Sequence, residues 1–504
     1  MSRSSYFLRA VCAAWAVSYL PSASANINLA NTAFIEQKYD VALREYQLAA
    51  KVGNLDAQFK LGNMYAQGLG VDADPIAAAA WFVVAAENGL QQAKPYAKVY
   101  LNEFNASEKQ ALIEQVASYM QTYGLANVNA TYLPVFIEAN RSKRVSIGDA
   151  DLEILDVEEQ QLNGLLSDDF TSVAAFGDNV VDDEFSDGTE FGFDLNKEKS
   201  ALRSDNYFLI VDAWLNSDGS FRNLENKLNL GRTGYAFSRA QKLDSKPAMF
   251  DGNPIEFPVR LKLGKSQQLL SLLEMRKSYP KLAKGIRDYQ KHAGSGKSED
   301  LYAYATTLEY FDGVRREDNE VLNLLREAAE KGHPYAQFAL GNLLYREQID
   351  PEQGLQWIAK AASSGLAPAE YWLAKLTLTS PWHETNERLA AFWFARAAKQ
   401  KHTAAIRELA KLHLFSSDSE LANEQKAADY IERIKITDAA NPETKYLQAW
   451  LQKRGGDKKR AINTMSSAIN MANALGWDTA LWQDQLESWK TRGVVFSEEV
   501  PSGV

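Results

Sequence analysis

The chain has 504 residues, which is enough for two or more domains with sizeable hydrophobic cores. Hydrophobic residues make up 46% of it and charged residues 24%, both ordinary values for a soluble protein, and the formal net charge is -10. A nucleic-acid-binding surface needs a basic face, and this mild acidity supplies no sign of one. We therefore expect no nucleic-acid partner.

The N-terminus has the pattern of an export signal. Arg3 and Arg9 supply positive charge, a short apolar run follows, and an A-x-A cleavage site ends at Ala25. We therefore predict a signal peptide over residues 1–25 and a mature chain that begins at Asn26. The alternative is an uncleaved anchor, although the apolar run is short for a membrane span.

The single cysteine, Cys12, lies inside this predicted signal and has a poor lipobox before it. Without it the mature chain would have no cysteine, which excludes disulfides, thiol catalysis and thiolate metal ligands. No later segment is apolar for long enough to span a membrane. Together these features predict a periplasmic protein, secreted through a cleaved signal peptide, with no transmembrane anchor after cleavage.

A phrase of the form A-A-x-x-G recurs along the chain. In the first half it ends at Gly53 and again 36 residues later at Gly89. In the second half it ends at Gly332 and 33 residues later at Gly365, and a degenerate copy ends at Lys401. Spacings of this size are typical of helix-turn-helix repeats.

One unit, residues 57–89, shows why the pattern predicts two packed helices. Its first helix carries small and large apolar residues at helical spacing, and Gly62 lets a neighbouring helix approach closely. Asp74 and Pro75 have the residue types that cap and start a second helix, and Gly89 ends it. A single pair cannot bury its apolar face alone, so the units must stack on one another.

This pattern resembles the Sel-like repeat, a helical repeat of the tetratricopeptide type. Residues 57–74 match its consensus core, A-x-x-x-L-G-x-x-Y-x-x-G-x-G-V-x-x-D, nearly in full, and residues 336–345 match it less completely. The resemblance covers residues 31–100 and 300–470. It implies an α-α superhelical solenoid that offers surfaces to protein partners. The small and aromatic repeat residues either line a binding groove or pack the helices together, and packing is the simpler interpretation.

The composition changes between the two repeat blocks. Residues 168–194 are acidic and rich in glycine and phenylalanine, with no lasting period, which predicts an extended or partly disordered linker. A calcium-binding loop is the alternative, because Asp183, Asp187 and Gly188 lie near EF-hand offsets. Phe185, however, occupies a ligand position of that motif. We therefore predict no metal and no cofactor.

Residues 207–263 have the order strand, strand, helix, strand, and the sequence NSDG at 216–219 predicts a hairpin turn. This order, with Pro-Ala at 247–248 and the phrase D-G-N-P-I at 251–255, resembles the C-terminal domain of TonB-family proteins. The resemblance implies a small α+β module that can pair a strand edge with a partner's peptide. Energy transduction also needs a membrane anchor and a proline-rich spacer, which this pattern lacks, so we reject that activity.

The final predicted strand of the module, residues 256–263, has alternating apolar and basic positions. Arg260 and Lys262 are expected to face water and to discourage edge-to-edge aggregation. The strand is either an edge that a partner can extend or a central, purely structural strand. The possible partner edge consists of Glu256, Val259, Leu261 and Leu263.

No pattern in the sequence predicts catalytic chemistry. The histidines lack the paired spacing of zinc sites, no G-x-S-x-G motif presents a nucleophilic serine, and the acidic residues are scattered. His333 follows a helix-ending glycine and is expected to be a cap or a surface residue. Residues 296–298 end like a phosphate-binding loop, but Lys291 stands where that motif needs a glycine. We therefore expect no nucleotide partner.

The sequence thus predicts a mainly α-helical fold, an α-α superhelical repeat in two blocks separated by a small α+β module. The predicted segments are a signal peptide (1–25), an N-terminal repeat block (26–130), an acidic linker (131–200), a module like the TonB C-terminal domain (201–264), a helical connector (265–298), a C-terminal repeat block (299–490) and a tail (491–504). The predicted function is an exported, non-enzymatic protein–protein interaction scaffold or adaptor in the bacterial cell envelope. The alternatives are an accessory or regulator of envelope polysaccharide export or murein metabolism, and a hydrolase with a cryptic site.

Overall fold

The computed structural model describes residues 27–147, 208–230, 234–243, 245–264, 271–278 and 280–491. The predicted signal peptide, the predicted mature start and the acidic stretch with its alternative calcium loop lie outside these residues. Helices predominate in the described part of the chain, which confirms the mainly α-helical fold class. None of the described helices is long and apolar enough to cross a membrane.

The described N-terminal region is built from helices. They are α1 (Ile27–Ile35), α2 (Tyr39–Lys51), α3 (Leu55–Gln67), α4 (Pro75–Glu87), α5 (Lys94–Glu103), α6 (Ala106–Tyr123) and α7 (Leu125–Tyr132). A region of mixed structure follows. Its elements are β1 (Phe208–Leu215), β2 (Phe221–Leu230), α8 (Gly234–Ala240), β3 (Ala248–Phe250), β4 (Asn253–Ile255) and β5 (Phe257–Gly264).

The C-terminal region is again helical. Its helices are α9 (Leu272–Ser278), α10 (Pro280–Ala293), α11 (Ser298–Tyr310), α12 (Glu320–Glu330), α13 (Pro334–Arg346), α14 (Pro351–Ser363), α15 (Ala367–Thr379), α16 (Glu387–Lys399), α17 (Thr403–Phe415), α18 (Glu424–Ile434), α19 (Pro442–Arg454), α20 (Lys458–Ala474) and α21 (Ala480–Lys490).

These elements form two compact units. The first comprises Met1–Pro134, Ala359–Ala374 and Arg388–Ala405, and the second comprises Val135–Ile358, Lys375–Glu387 and Ile406–Val504. The small sheet belongs to the second unit.

The first unit shows why the repeat sequence folds into helix pairs. The Asn54 side chain accepts a hydrogen bond from the backbone N–H of Ala57 at 2.8 Å and so caps α3. Asp74 caps α4 in the same way. Gly62 of α3 lies against the Phe82 ring of α4, so close that a β-carbon there would lie 2.7 Å from a ring atom. The predicted close approach of two helices at Gly62 is confirmed.

The second helix of each repeat is followed by a residue in the left-handed conformation. The φ angle is +112° at Gly89, +87° at Gly332 and +80° at Gly365, which confirms the predicted helix ends. Lys401 occupies the equivalent place in the degenerate copy and has a φ of +64°. The geometry of the turn therefore persists there, although the β-carbon of a lysine makes this conformation costly.

The module of mixed structure contains a three-stranded antiparallel sheet with the order β2-β1-β5, and β3 and β4 form a separate hairpin. The turn predicted at 216–219 connects β1 to β2, and the Asn216 N–H donates to the Ser220 carbonyl at 2.8 Å. The predicted order strand, strand, helix, strand is confirmed, with the β3–β4 hairpin added before β5. β1 is the central strand, and β5 lies at an edge.

Candidate interaction surface in the second unit

β5 carries the residues that the sequence marked as a possible partner edge. Val259, Leu261 and Leu263 face one side of the sheet and are 3%, 1% and 6% exposed. Glu256 precedes the strand, and its carboxylate lies 3.0 Å from the ammonium group of Lys375 on α15. Among the described residues β5 pairs with β1 alone, so no described strand lies along its outer edge. Use of this edge by a partner stays a prediction.

The expectation that Arg260 and Lys262 face water is wrong for Arg260, whose side chain is 11% exposed, and holds only in part for Lys262, which is 28% exposed. Arg260 donates two hydrogen bonds, of 2.5 and 2.9 Å, to the carboxylate of Asp212 on β1. It also contacts the carboxylate of Glu309 on α11. The Lys262 ammonium lies 3.0 Å from the carboxylate of Asp312, which follows α11. Apolar and basic side chains do alternate along the strand as predicted. Its basic side, however, lies against α11 and the residues after it, which supply carboxylates for Arg260 and Lys262.

Asp212 and Arg260 belong to a buried cluster of four charges. Arg346, at the end of α13, adds a guanidinium whose nitrogens lie 3.9 Å from Asp212 and 3.6 Å from Glu309. Burial alone would raise the pKa of Asp212, but the adjacent Arg260 guanidinium lowers that pKa to about 2. Burial likewise disfavours the charge of Arg260, and the two carboxylates nevertheless raise its pKa. Two cations and two anions thus stabilise one another in this cluster.

Lys375 of α15 forms a second contact between the helices and the sheet. Its ammonium lies 2.7 Å from the carboxylate of Glu408 on α17. It also lies 5.7 Å from the ring centre of Trp214 on β1, a distance that allows a cation–π contact. Burial would raise the pKa of Glu408, but Lys375 lowers it. Lys375 is 5% exposed, so strand and helix residues together enclose its charge.

A third contact joins β2 to the last repeat helices. Arg407 of α17 and Arg222 of β2 approach the carboxylate of Glu443 on α19 to 3.0 and 3.2 Å. Asn223 accepts a further hydrogen bond from Arg407. Asn223 has a φ of +52° and lies at a β-bulge, where the β1–β2 register shifts. A β-bulge can redirect the side chains of its strand. Burial opposes the charge of Glu443, but the arginines lower its pKa to about 2.

These helix residues share one position in the fold, because each lies on the first helix of a successive helix pair. Glu309, Arg346, Lys375 and Arg407 are only 9%, 7%, 5% and 3% exposed. Charged side chains on an uncovered helical surface would be solvated. Here β1, β2 and β5 lie over these four side chains and exclude water from them. We call this surface the charged face. It consists of Glu309 (α11), Arg346 (α13), Lys375 (α15), Arg407 (α17) and Glu443 (α19).

Apolar contacts flank the charged face. The Phe257 ring of β5 stacks on Tyr345 of α13, with ring centres 6.2 Å apart, and meets Trp382 edge-on at 5.9 Å. At the other end of the sheet, Ile210 of β1 packs into a buried cluster with residues of α9, α10 and α11. The sheet therefore contacts the repeat helices over most of its length through both charged and apolar groups.

A strap of chain, residues 135–146, crosses the helix ends of the same unit. The Ile137 N–H donates to the Trp382 carbonyl at 2.8 Å. The Gln348 side-chain amide accepts from the Val145 N–H at 2.7 Å and donates to the Val145 carbonyl at 2.9 Å. The end of the strap then exchanges two backbone hydrogen bonds with β3. The strap thereby connects the β3–β4 hairpin to the loops after α13 and α15.

His383 lies beneath this strap. It is 2% exposed, and its ring packs edge-on against Phe136 of the strap at 5.6 Å. Neither ring nitrogen has a hydrogen-bond partner among the described residues. Burial lowers the pKa of His383 to about 3, so the imidazole is neutral at ordinary pH. Among the described residues no charged group offsets the cost that burial imposes on a protonated ring.

Sequence reasoning missed both the charged face and the strap. The charged face left a signal, because its residues, from Glu309 to Glu443, follow one another at intervals of 37, 29, 32 and 36 residues. These intervals match the repeat and place one charge on each first helix. The strap left no comparable signal, since residues 135–146 have neither strand alternation nor helical periodicity.

The described residues hold no group of three histidine, cysteine or acidic side chains placed to bind a metal ion. His333 caps α13 by accepting from the Ala336 N–H at 3.1 Å, which confirms the cap predicted for it. His402 caps α17 in the same way, from the Ala405 N–H at 3.3 Å. His333 and His402 therefore have structural roles at matching places two repeats apart.

The Sel1 repeat family matches residues 55–90, 298–333, 334–366 and 367–402. These four segments are Sel1 repeats. Each one spans a helix pair, beginning with α3, α11, α13 and α15. Sel1 repeats mediate protein–protein interactions, and proteins that carry them are generally non-enzymatic scaffolds. The charged face is thus built on three Sel1 repeats and on the two helix pairs that follow them.

A curated relative is the exopolysaccharide production negative regulator of Rhizobium meliloti (strain 1021). It is 30% identical over 138 residues, which are 24% of this chain and 52% of the relative. The chain thus spans about half the length of this relative. Among solved structures, a Sel1 repeat protein from Oxalobacter formigenes matches with 16% identity and a TM-score of 0.32, over 91% of this chain and 86% of that one. The protective antigen c5321 of uropathogenic Escherichia coli, which displays an SLR fold, matches with 18% identity and a TM-score of 0.33, over 88% and 87%.

Proposed function

We propose that this protein is a non-enzymatic interaction scaffold or adaptor, exported into the bacterial cell envelope through a cleaved signal peptide. The observation that carries the proposal is the set of Sel1 repeats, because such repeats bind other proteins. The charge, apolar run and A-x-A site within residues 1–25 support export to the periplasm. The proposed partners are proteins of the cell envelope, and neither nucleic acids nor nucleotides are proposed as ligands.

The module of mixed structure is proposed to be related to the TonB C-terminal domain. The order of its elements, its antiparallel three-stranded sheet and its D-G turn at 218–219 support this. In this proposal β5 offers its outer edge to an extended peptide, along Glu256, Val259, Leu261 and Leu263. Main-chain hydrogen bonds would supply affinity, as in other cases of strand addition. Energy transduction is not part of the proposal.

The scaffold is tested with the tagged full chain, expressed in an exporting bacterium and crosslinked in the periplasm. We expect stoichiometric recovery of one protein partner and no turnover of purified murein. Murein turnover would support the hydrolase instead, and a chain recovered without partner from the periplasm would contradict the scaffold. Sequencing the mature N-terminus tests cleavage after Ala25 in the same preparation.

The strand edge is tested with Val259→Pro in the same experiment. A proline on β5 removes a backbone donor, so it should lower partner recovery while residues 208–264 stay resistant to limited proteolysis. If this segment becomes protease-sensitive instead, the strand is structural. Unchanged recovery with an intact segment would show that the partner binds elsewhere.

A regulator of envelope polysaccharide export is the second candidate function. The observation that favours it is the match to the Rhizobium meliloti relative, which is named as a negative regulator of exopolysaccharide production. Deletion of the gene should then raise extracellular polysaccharide, and the full chain should restore the original level. Unchanged polysaccharide in the deletion strain would remove this candidate without affecting the scaffold.

A further inference from the structure

The strap is held mainly by hydrogen bonds and adds little to the buried core of the second unit. Val145 is its one buried residue. Besides the bonds given above, its Val135 carbonyl accepts from the Glu384 N–H at 2.9 Å, and its Asn140 side-chain amide donates to the Pro381 carbonyl at 2.8 Å. Segments with few buried apolar contacts open at a lower free energy than the whole fold. The strap can therefore open while the repeat helices beneath it stay folded.

The closed strap covers Trp382 and His383, which lie in the loop after α15. Trp382 is 1% exposed, and its indole N–H donates to the Lys143 carbonyl of the strap at 3.1 Å. The Trp382 ring also meets Tyr345 of α13 edge-on, with ring centres 5.2 Å apart. His383 forms an isolated antiparallel β-bridge with Phe136 of the strap. Opening of the strap therefore uncovers the indole and the imidazole together.

His383 makes the closed strap sensitive to protons. Its buried ring nitrogens have no hydrogen-bond partner among the described residues, so a proton added to either nitrogen loses its bond to water and gains no acceptor. When the strap is open, water solvates the protonated ring. Protonation of His383 therefore favours the open strap, and burial accordingly lowers the pKa of this ring while the strap is closed.

The charges around His383 do not oppose this effect. The charged groups that the strap and its neighbours bring to this region are Glu138, Arg141, Lys143, Asp251, Glu352 and Glu384. The two cations are paired with carboxylates at distances of 2.6 to 3.1 Å. Burial is the single cause of the lowered pKa of His383 among the described residues. A comparison between pH 7 and 5.5 also stays above the reference pKa values of carboxylates, which are about 4.

We propose that the strap is a proton-released latch, which opens on acidification and exposes Trp382 while the repeat helices stay folded. Trp382 contacts Phe257, the first residue of β5, with ring centres 5.9 Å apart. Opening of the latch therefore also uncovers the beginning of that strand. The latch needs no partner protein, so it stands apart from the proposed scaffold.

The test measures hydrogen exchange of the full chain at pH 7 and 5.5 by mass spectrometry, with rates corrected for the intrinsic effect of pH on exchange. An exposed imidazole has a reference pKa of about 6.5, so the equilibrium constant for opening should rise about eightfold between these two pH values. Protection of the Ile137, Val145 and Glu384 amides should fall by this factor, and α13 and α19 should keep their protection. Oxidative labelling of Trp382 should rise in parallel.

Two variants remove the titrating group in different ways. His383→Phe keeps a ring against Phe136, and His383→Gln keeps a polar side chain, so each should abolish the eightfold change even if one of them alters protection at pH 7. The matched control is His292→Gln, at the exposed end of α10, which should leave the change intact. Unchanged strap protection in the wild-type chain, or the same pH response in both His383 variants, would overturn the latch. Loss of protection in α13 and α19 together with the strap would overturn it too, because opening would then be global.

Discussion

Replacing Arg260 by methionine should destabilise the second unit far more than the same replacement of Lys262, the next residue on the same side of β5. Arg260 is the cation that Asp212 and Glu309 share, and the side chains of these two acids are 3% and 11% exposed. Methionine keeps much of the side-chain volume but leaves two carboxylates without their main partner. Removing one member of a buried ion pair costs about 3–5 kcal/mol, because the remaining charge stays desolvated.

Lys262→Met is the matched control. Lys262 and Asp312 are 28% and 31% exposed, so solvent screens their pair, and its loss should cost about 1 kcal/mol or less. Both costs are measured as local unfolding free energies from hydrogen exchange in β1 and β5 of the full chain. Equal small costs at the two positions would refute the reasoning, since that is the result expected if both side chains faced water.

The pH dependence of Arg260→Met checks the cause of the effect. Arg260 holds the pKa of Asp212 at about 2 instead of 3.8, which corresponds to roughly 2 kcal/mol of stability. A lowered carboxylate pKa contributes stability that is complete above pH 3.8 and is lost as the pH falls toward 2. In the variant Arg260 no longer lowers this pKa, and burial then opposes the charge of Asp212, a cost that disappears as the carboxylate is protonated. The difference between variant and wild type should therefore shrink as the pH falls below about 4, and a constant difference would point to lost packing instead.

Three further outcomes are expected. Burial lowers the pKa of His383 to about 3, whereas the unfolded value is 6.5, so the free energy that holds the strap in place should be complete above pH 6.5 and should fall by about 1.4 kcal/mol per pH unit below it. His383→Phe should abolish this loss when proteolysis near residues 135–146 is compared at pH 7 and 5.5. Gly62→Ala should cost about 1–3 kcal/mol in the thermal unfolding of the first unit, because its β-carbon would overlap the Phe82 ring; an unchanged midpoint would contradict that close contact. Lys401→Gly should raise the same midpoint by relieving about 1 kcal/mol of left-handed strain, and a lower midpoint would show that the lysine side chain matters more than its backbone.

The sequence by itself determined the local elements of this protein. The A-x-x-x-L-G phrase, the Asp74 cap and the glycine ends specify helix pairs because caps, turns and helical periodicity depend on residues only a few positions apart. The turn residues at 216–219 likewise predict the hairpin. Even the degenerate copy keeps its turn at Lys401, where the Lys401 N–H donates to the Ala398 carbonyl and the His402 N–H donates to the Ala397 carbonyl.

Only the tertiary structure decided what the polar side of β5 faces. Alternating apolar and polar residues along a strand show that its two sides differ. They do not show whether water or another element of the fold contacts the polar side. Arg260 finds its partners Asp212 and Glu309 48 and 49 residues away along the chain, and Arg222 finds Glu443 at a separation of 221. The strap and the burial of His383 depend on separations just as long. Such pairings follow from how the sheet lies on the repeats, and no local pattern in the sequence encodes that placement.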